Sequence, residues 1–477
     1  MLQLILLTVL IPFAVAIMLC EIKDCKMAGR IVVAASWLQL ALIICFSYPL
    51  FNGTMSGFSI SEDFGLTRID AAFVILTSGV AACALTHGHV FFGRELQKAD
   101  PPSSSSLRLN YGFSMFFVLA MYLVFFCKNL GYLWIAVEST TLLSAPLVYF
   151  SRSKHALEAT WKYLIICSVG ISFALLGTLF IFASGQHGAI SGGTLQIDNL
   201  IAAAPNLDYK LLRFGFIFCF LGYGTKAGIF PLHSWLPDAH SEAPAPSSAI
   251  LSGSLLNCSL FAIFRVSQIV MATPLNQLDS QLILWAGAIT VVAASFFLIR
   301  QYSLKRLFAY SSIENVGLMV VAIGLNSGPL FFLQALNHSI AKVSLFLLSG
   351  NVIQATGKKH IPQQSGLMAS APGWAVLMAM AVFAGTGAPP FGTFLSEWLI
   401  LMRSIELHHY VIAGLLIGAL ALSFIVVCMH VGKIFFGAAS PNFQYFRPIA
   451  TSVIPALLIS LSLCIGLASQ LDFWGGL

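Results

Sequence analysis

Five ionisable side chains stand inside long apolar stretches of this sequence: Glu138, Lys226, Glu314, Lys342 and Glu397. His338 precedes Lys342 by one helical turn. A charge at membrane depth costs at least ~2.5 kcal/mol on insertion scales, so each is a functional candidate. At about 1.5 Å per residue, Glu138 lies ~14 Å from one end of its stretch, Lys342 ~20 Å and Glu314 ~16 Å, all near the middle. Residues of both signs at that depth suit proton transfer. Away from water an ammonium loses its preference for the charged form, and a nearby carboxylate restores it. The sequence thus offers Lys226 with Glu138 as one switch, and Lys342 with Glu314 or Glu397 as its counterpart. His338 suits a relay because imidazole titrates near neutrality. The competing reading, ion pairs that only hold helices together, explains one isolated pair better than it explains five charges.

The elements that position these groups follow from composition. Of 477 residues, 58% are hydrophobic and 9% are charged, whereas a soluble domain carries roughly a quarter of its residues as charges. Apolar runs of about twenty residues recur between short polar joints, each long enough to cross a bilayer core as a helix. The fold class is therefore all-α integral membrane; a barrel would need alternating strands. The net charge of +6 does not indicate nucleic-acid binding, because the basic residues sit singly in the joints. The 10 cysteines form no CxxC pair, which argues against a cluster or structural zinc. No phosphate-cradling loop, nucleophile elbow or HExxH occurs, so no cofactor, metal or catalytic site of the chain's own is expected. Met1–Cys20 lacks a basic leader and a small-residue cleavage site, and reads as a retained helix.

The expected spans are 1–20, 30–50, 69–93, 108–127, 129–150, 161–184, 211–232, 246–268, 281–300, 303–325, 329–352, 372–402, 409–437 and 450–470. Sixteen of the 24 basic residues, among them Lys23, Arg94, Lys98, Lys305, Lys359 and Arg447, fall in joints after odd-numbered spans. Six fall in the other joints, and Lys226 and Lys342 lie inside spans. The bias places the first set of joints in the cytoplasm and both termini outside.

Two spans carry breakers: Gly222-Tyr-Gly-Thr-Lys-Ala-Gly-Ile-Phe-Pro231 and Gly385-Thr-Gly-Ala-Pro-Pro-Phe-Gly392. Such density of glycine and proline cannot keep an unbroken hydrogen-bond ladder. The breaks lie five spans apart. Spans four to eight and nine to thirteen then form inverted five-helix repeats with the break in the fourth member, a pointer to a transport site. The corresponding units are 1–107, 108–270, 271–440 and 441–477.

Other polar residues rank lower. Lys162 follows Glu158 at i+4 and reads as a boundary pair. Arg68 with Asp70 resembles a helix-start anchor, Glu62 and Asp63 sit in a polar loop without a role, and His87 and His89 read as interfacial. His408-His409 reads as a solvated pair, and 103–106 as a flexible serine loop.

The segment Tyr223-Gly-Thr-Lys-Ala-Gly-Ile-Phe-Pro-Leu-His-Ser-Trp-Leu-Pro-Asp-Ala-His-Ser-Glu-Ala-Pro-Ala-Pro246, which includes His240, resembles the signature of the proton-pumping antiporter-like subunits. These occur in respiratory complex I, multisubunit sodium/proton antiporters and group 4 hydrogenases. Val137–Ser144, Leu304–Glu314, His338–Lys342 and Gly385–Glu397 resemble the same family. Glu158–Ile165 and Leu255–Cys258 are most similar to its hydrogenase-4 component F branch. The resemblance implies that Glu138 and Lys226 form a first proton switch, that Lys342 belongs to a central relay, and that Glu397 is the terminal position. It also implies membrane partner subunits and peripheral redox subunits in a bacterial or archaeal inner membrane. Asn257 and Asn315 stand where many relatives have lysine and histidine, and an amide carries no proton charge. Two other readings remain: a membrane partner of proton-driven inorganic-carbon uptake, and a scaffold with an inactive channel.

Overall fold

A computed structural model describes residues 2–98, 101–186, 193–274, 276–437 and 448–468. Met1, Arg447 and residues 469–470, used in the span and charge readings above, lie outside the described residues. The long helices are α1 (Leu2–Glu21), α2 (Cys25–Phe51), α3 (Arg68–Glu95), α4 (Ser104–Phe126), α5 (Leu130–Val148), α6 (Lys154–Gln186) and α7 (Tyr209–Ala227). After the short α8 (Trp235–Glu242) they continue with α9 (Ala245–Met271), α10 (Gln277–Leu298), α11 (Leu304–Gly324) and α12 (Gly328–Thr356). The last are α13 (Pro372–Gly385), α14 (Gly392–Glu406), α15 (Tyr410–Phe435) and α16 (Pro448–Ala468).

Their starts follow local chemistry. Asp24, Ser103, Asn129, Asp208 and Ser327 each accept a hydrogen bond from a backbone N–H of the first turn, which satisfies donors the helix leaves unpaired. Thr67 and Asp70 form a reciprocal capping box at α3.

Among the described residues, 11 helices are long and apolar enough to cross a membrane. The expected fourteen exceeds that count at three stretches. The first coincides with α1, a 20-residue helix of which residues 6–21 enter that count. The stretches at 211–232 and 372–402 are broken. The all-helical membrane class is as expected; the exceptions are a small hairpin, β1 (Gly57–Ser59) with β2 (Gly65–Thr67), and a few short turns.

Three helices form the centre. Within their most apolar stretches, α9 is 100% buried, α11 94% and α12 89%, against 39% for α6 and α15. Helices buried all round must satisfy their polar side chains inside the protein. Close approach of backbones holds the outer layers to them. A Cβ on Gly317 of α11 would lie 2.8 Å from the Gly287 oxygen of α10, so this contact requires glycine.

The hairpin loop expected to be passive ties one end of the bundle together. Asp63 accepts from Asn129 Nδ2 at 2.8 Å and from Gln196 Nε2 at 2.5 Å. Arg68 does not anchor Asp70. Its Nε donates to the Leu50 carbonyl, while Asp70, 0% exposed, pairs with Arg265 of α9 at 2.9 Å. A buried cation stabilises a buried aspartate in its charged form, and the partner lies 195 residues away in sequence.

Candidate functional site

Both expected breaks are present. Helix α7 ends at Ala227, and Gly228 caps it in the left-handed region at φ 82°. The exposed backbone of this break is satisfied by protein. Ile229 N–H donates to the Gly224 oxygen at 2.9 Å, and Phe230 N–H donates to Thr290 Oγ1 of α10 at 3.2 Å. The indole of Trp235 closes over the gap through a 2.9 Å bond to the Thr225 oxygen. Between α13 and α14, Gly387 takes φ 69°, Ala388 N–H donates to the Phe383 oxygen, and Gly392 N–H to Ser462 Oγ of α16. Irregular backbone at membrane depth survives only under such conditions.

Lys226 occupies the last turn of α7 and is 0% exposed. Its ammonium donates to the Val137 oxygen and, at 2.5 Å, to Thr141 Oγ1 of α5. The Thr141 hydroxyl donates in turn to Glu138 Oε2 at 3.1 Å, and Ser168 donates to Glu138 Oε1 at 2.9 Å. Lys226 and Glu138 therefore meet through a hydroxyl. Among the described residues no direct ion pair joins them, which corrects the simplest form of the expected switch. Thr141 was missed because an uncharged residue inside a span raises no flag. Its position three residues after Glu138, on the same helix face, was the available signal.

Lys342 on α12 is also 0% exposed and donates to Ser311 Oγ of α11 at 2.5 Å. It lies within electrostatic reach of Glu314 and Glu397, with no ion pair to either among the described residues. The Glu397 carboxylate rests against Gly387, where any Cβ would collide with it. The second acid thus packs into the second break. His338 Nε2 faces the Ser252 oxygen at 3.2 Å, and Ser252 Oγ meets Ser312 Oγ at 2.9 Å. Ser252 belongs to a π-helical stretch, Leu251–Leu255, inside α9. Such stretches open the regular hydrogen-bond ladder and gather at functional sites. No residue pattern in the sequence marked it.

Two asparagines lie beside these residues. Asn257 Nδ2 donates to the Gly253 oxygen and to Ser339 Oγ, both at 3.0 Å. Asn315 donates to the Ser311 oxygen at 2.9 Å and accepts from Gln334 at 2.8 Å. Both amides are built into helix contacts.

The remaining candidates lie toward the end of the bundle with most basic joints. Lys162 pairs with Glu158 at 2.6 Å, as expected, and with Asp238 at 3.3 Å, beside the Arg306–Asp238 pair at 2.9 Å. These groups form an exposed charge cluster. His240 is buried, its ring stacked on Phe346 at 5.1 Å. Nearby, Lys305 donates to the Ala243 oxygen at 2.5 Å. Lys305, Glu95, Glu242, Gln354 and Lys359 line an open cavity of about 520 Å³. Lys305 was expected only as a joint residue. Its position at the first turn of α11 brings it inward. His87, expected at the membrane interface, is buried inside the protein, 1% exposed within α3.

Residues 127–423, from the start of α5 to the middle of α15, match the family described as NADH:quinone oxidoreductase/Mrp antiporter, transmembrane. The chain is 33% identical over 459 residues to the hydrogenase-4 component F homolog of Methylacidiphilum infernorum (isolate V4), with 92% of each chain covered. It is similar in fold to a chain of the membrane-bound sulfane sulfur reductase, an archaeal respiratory membrane complex. There the TM-score is 0.86 at 21% identity, covering 99% of this chain and 95% of the other. A chain of the Mrp complex from Dietzia sp. DQ12-45-1b gives 0.84 at 17% identity, with 98% and 95% covered. The broken helices, their buried ionisable groups and these matches agree: the chain belongs to the NADH:quinone oxidoreductase/Mrp antiporter transmembrane family.

Proposed function

We propose that this chain translocates protons across the membrane as an antiporter-like subunit of a redox-driven complex, through two groups of ionisable residues. The first is Lys226, Thr141 and Glu138. The second is Lys342 with Glu314, Glu397 and His338. The observation that carries the reading is the hydroxyl bridge from Lys226 to Glu138 at the end of a broken helix. A lysine with no direct counter-ion, held by one hydroxyl and one carbonyl, exchanges its proton when the carboxylate across the bridge changes charge.

Membrane partners enter the proposal through Glu138. Its helix is peripheral, and Ile135 and Leu142 on it are 51% and 57% exposed. A half-buried carboxylate among exposed apolar side chains at membrane depth is best covered by a neighbouring subunit. The complexes named for the relatives supply the class of assembly, with redox chemistry on peripheral subunits. Within it, we place both termini outside, and treat 108–270 and 271–440 as the two inverted repeats. An inactive scaffold is favoured by one observation, the hydrogen-bonded Asn257 and Asn315 beside the second group. Proton uptake by vesicles carrying the intact assembly tests the reading. Glu138→Gln should slow uptake about a hundred-fold, the usual scale for a lost proton-transfer group. An unchanged rate would reject the first group.

A further inference from the structure

The polar interior of this molecule extends beyond the two groups. Helix α12 carries Lys342 on the face toward α11, yet Asn337, Ser344 and Asn351 recur every seven residues on another face. All three are 0% exposed. Seven residues make nearly two full turns, so they form one stripe, and Asn351, nine residues past Lys342, points away from it. Asn351 Nδ2 donates to the Thr451 oxygen of α16 at 3.2 Å. Asn337 Nδ2 donates to the Gly392 oxygen at 2.8 Å and to Ser396 Oγ at 3.2 Å. The stripe therefore runs from α16, at Asn351, to the start of α14, at Asn337, one residue from Glu397, with Ser344 between them donating to the Ala341 oxygen of its own helix.

His87 of α3 stands at the Asn351 end of this stripe. Its ring faces the Asn351 side chain and the Thr451 backbone, and neither ring nitrogen has a hydrogen bond of good geometry among the described residues. One turn further along α3 is Phe91, and one beyond that is Glu95. Gln354 donates to the Phe91 oxygen at 3.1 Å and to Glu95 Oε1 at 2.6 Å, and Glu95 and Gln354 line the open cavity. Gln354 Oε1, Asn351 Oδ1 and Asn337 Oδ1 are likewise buried without a hydrogen-bond partner among the described residues. Buried polar atoms of this kind take water as their partner. From Asn351 to Asn337 the stripe spans about 21 Å, at 1.5 Å per residue.

We propose that the α3–α12–α16 seam is a hydrated proton path, with His87 as its titratable station, that joins the cavity at Glu95 and Gln354 to Glu397 at the second break. The proposal rests on the translocation reading above and adds a residue outside the family match, which begins at 127. A neutral imidazole takes a proton on one nitrogen and releases one from the other, so a single buried histidine relays between waters on its two sides. The path bypasses the hydrogen-bonded Asn257 and Asn315.

The test uses the intact assembly in vesicles, with proton uptake read by an enclosed pH dye. His87→Gln keeps the size and the hydrogen bonding but carries no proton, and should lower uptake about a hundred-fold. Adding it to Glu397→Gln should cost nothing more, because both act on one path. His89→Gln, two residues on, should run at the wild-type rate. Wild-type uptake by His87→Gln, or losses that multiply in the double variant, would overturn the path. If His87→Gln fails to assemble, deuterium exchange at the imidazole C2 position of the wild-type assembly decides. A hydrated His87 exchanges at a rate comparable to half-buried His89, and a His87 that stays unexchanged while His89 exchanges refutes the seam. Absence of uptake by the wild type would instead reject the translocation reading, while the exchange measurement would still judge the seam.

Discussion

The two helix breaks carry ionisable groups of opposite type on opposite sides. At the first, Lys226 lies before the break, in the last turn of α7. At the second, Glu397 lies after it, in the second turn of α14. A helix end attracts a charge of the sign that complements its dipole, a cation at the C-terminus and an anion near the N-terminus. Each break exposes two half-helix ends; Lys226 lies in the last turn before the first break, within reach of that dipole, and Glu397 lies a turn beyond the start of α14. The supporting contacts differ too. Lys226 reaches its acid through Thr141, whereas Glu397 is seated directly against Gly387, and the nearby lysine comes from the unbroken α12. A broken helix is therefore a common frame with two different chemistries mounted on it.

The largest effect that would break this comparison comes from Lys226→Ala. It should lower translocation by about a hundred-fold or more while the assembled protein still forms, since no direct ion pair is lost. Vesicle uptake alongside assembly yield measures both. Equal loss of assembly would make Lys226 a structural residue.

Next come the two glycines. Gly228→Ala and Gly387→Ala both force a side chain into the left-handed region, at about 1–3 kcal/mol each, so thermal unfolding should fall for both. Translocation should separate them. A Cβ at Gly387 strikes the Glu397 carboxylate, and one at Gly228 meets only the Leu236 side chain. Gly387→Ala should lose far more activity than Gly228→Ala, and equal losses would remove the functional link between Glu397 and its break.

A smaller effect tests the bridge. Thr141→Val keeps the shape and removes the hydroxyl between Lys226 and Glu138. A hydrogen bond to a charged group is worth about 1.5–3 kcal/mol, so translocation should fall by roughly ten-fold or more and stability by an amount in that range. Ser311→Ala beside Lys342 is the matching change at the second group. The smallest effect is Arg403→Ala, which removes the exposed 3.2 Å pair with Glu406. Thermal unfolding should register under about 1 kcal/mol.

What could be read from the residues was what carries a strong local signal. Apolar runs marked the helices to within seven residues, and the clusters around Gly222–Pro231 and Gly385–Gly392 marked both breaks, because breakers act locally. Charges inside apolar runs marked both ionisable groups. Thr141 and the π stretch at Leu251–Leu255 were hidden because neither breaks the hydrophobic pattern. Asp63 and the Asp70–Arg265 pair were misread because their partners lie 133 and 195 residues away, and pairing at that range is decided by helix packing. The burial of His87 was hidden for the same reason: α12 and α16 cover it, and no pattern within α3 announces them.

The central claim is that Glu138 and Lys226 work as one switch through Thr141. The most direct measurement is a double-mutant cycle on proton uptake by the reconstituted assembly, with Glu138→Gln, Lys226→Ala and the double variant compared at equal assembly. Residues acting as one unit are non-additive, so the double variant should be barely slower than the slower single variant. Two losses that multiply in the double variant would show separate steps and contradict the switch.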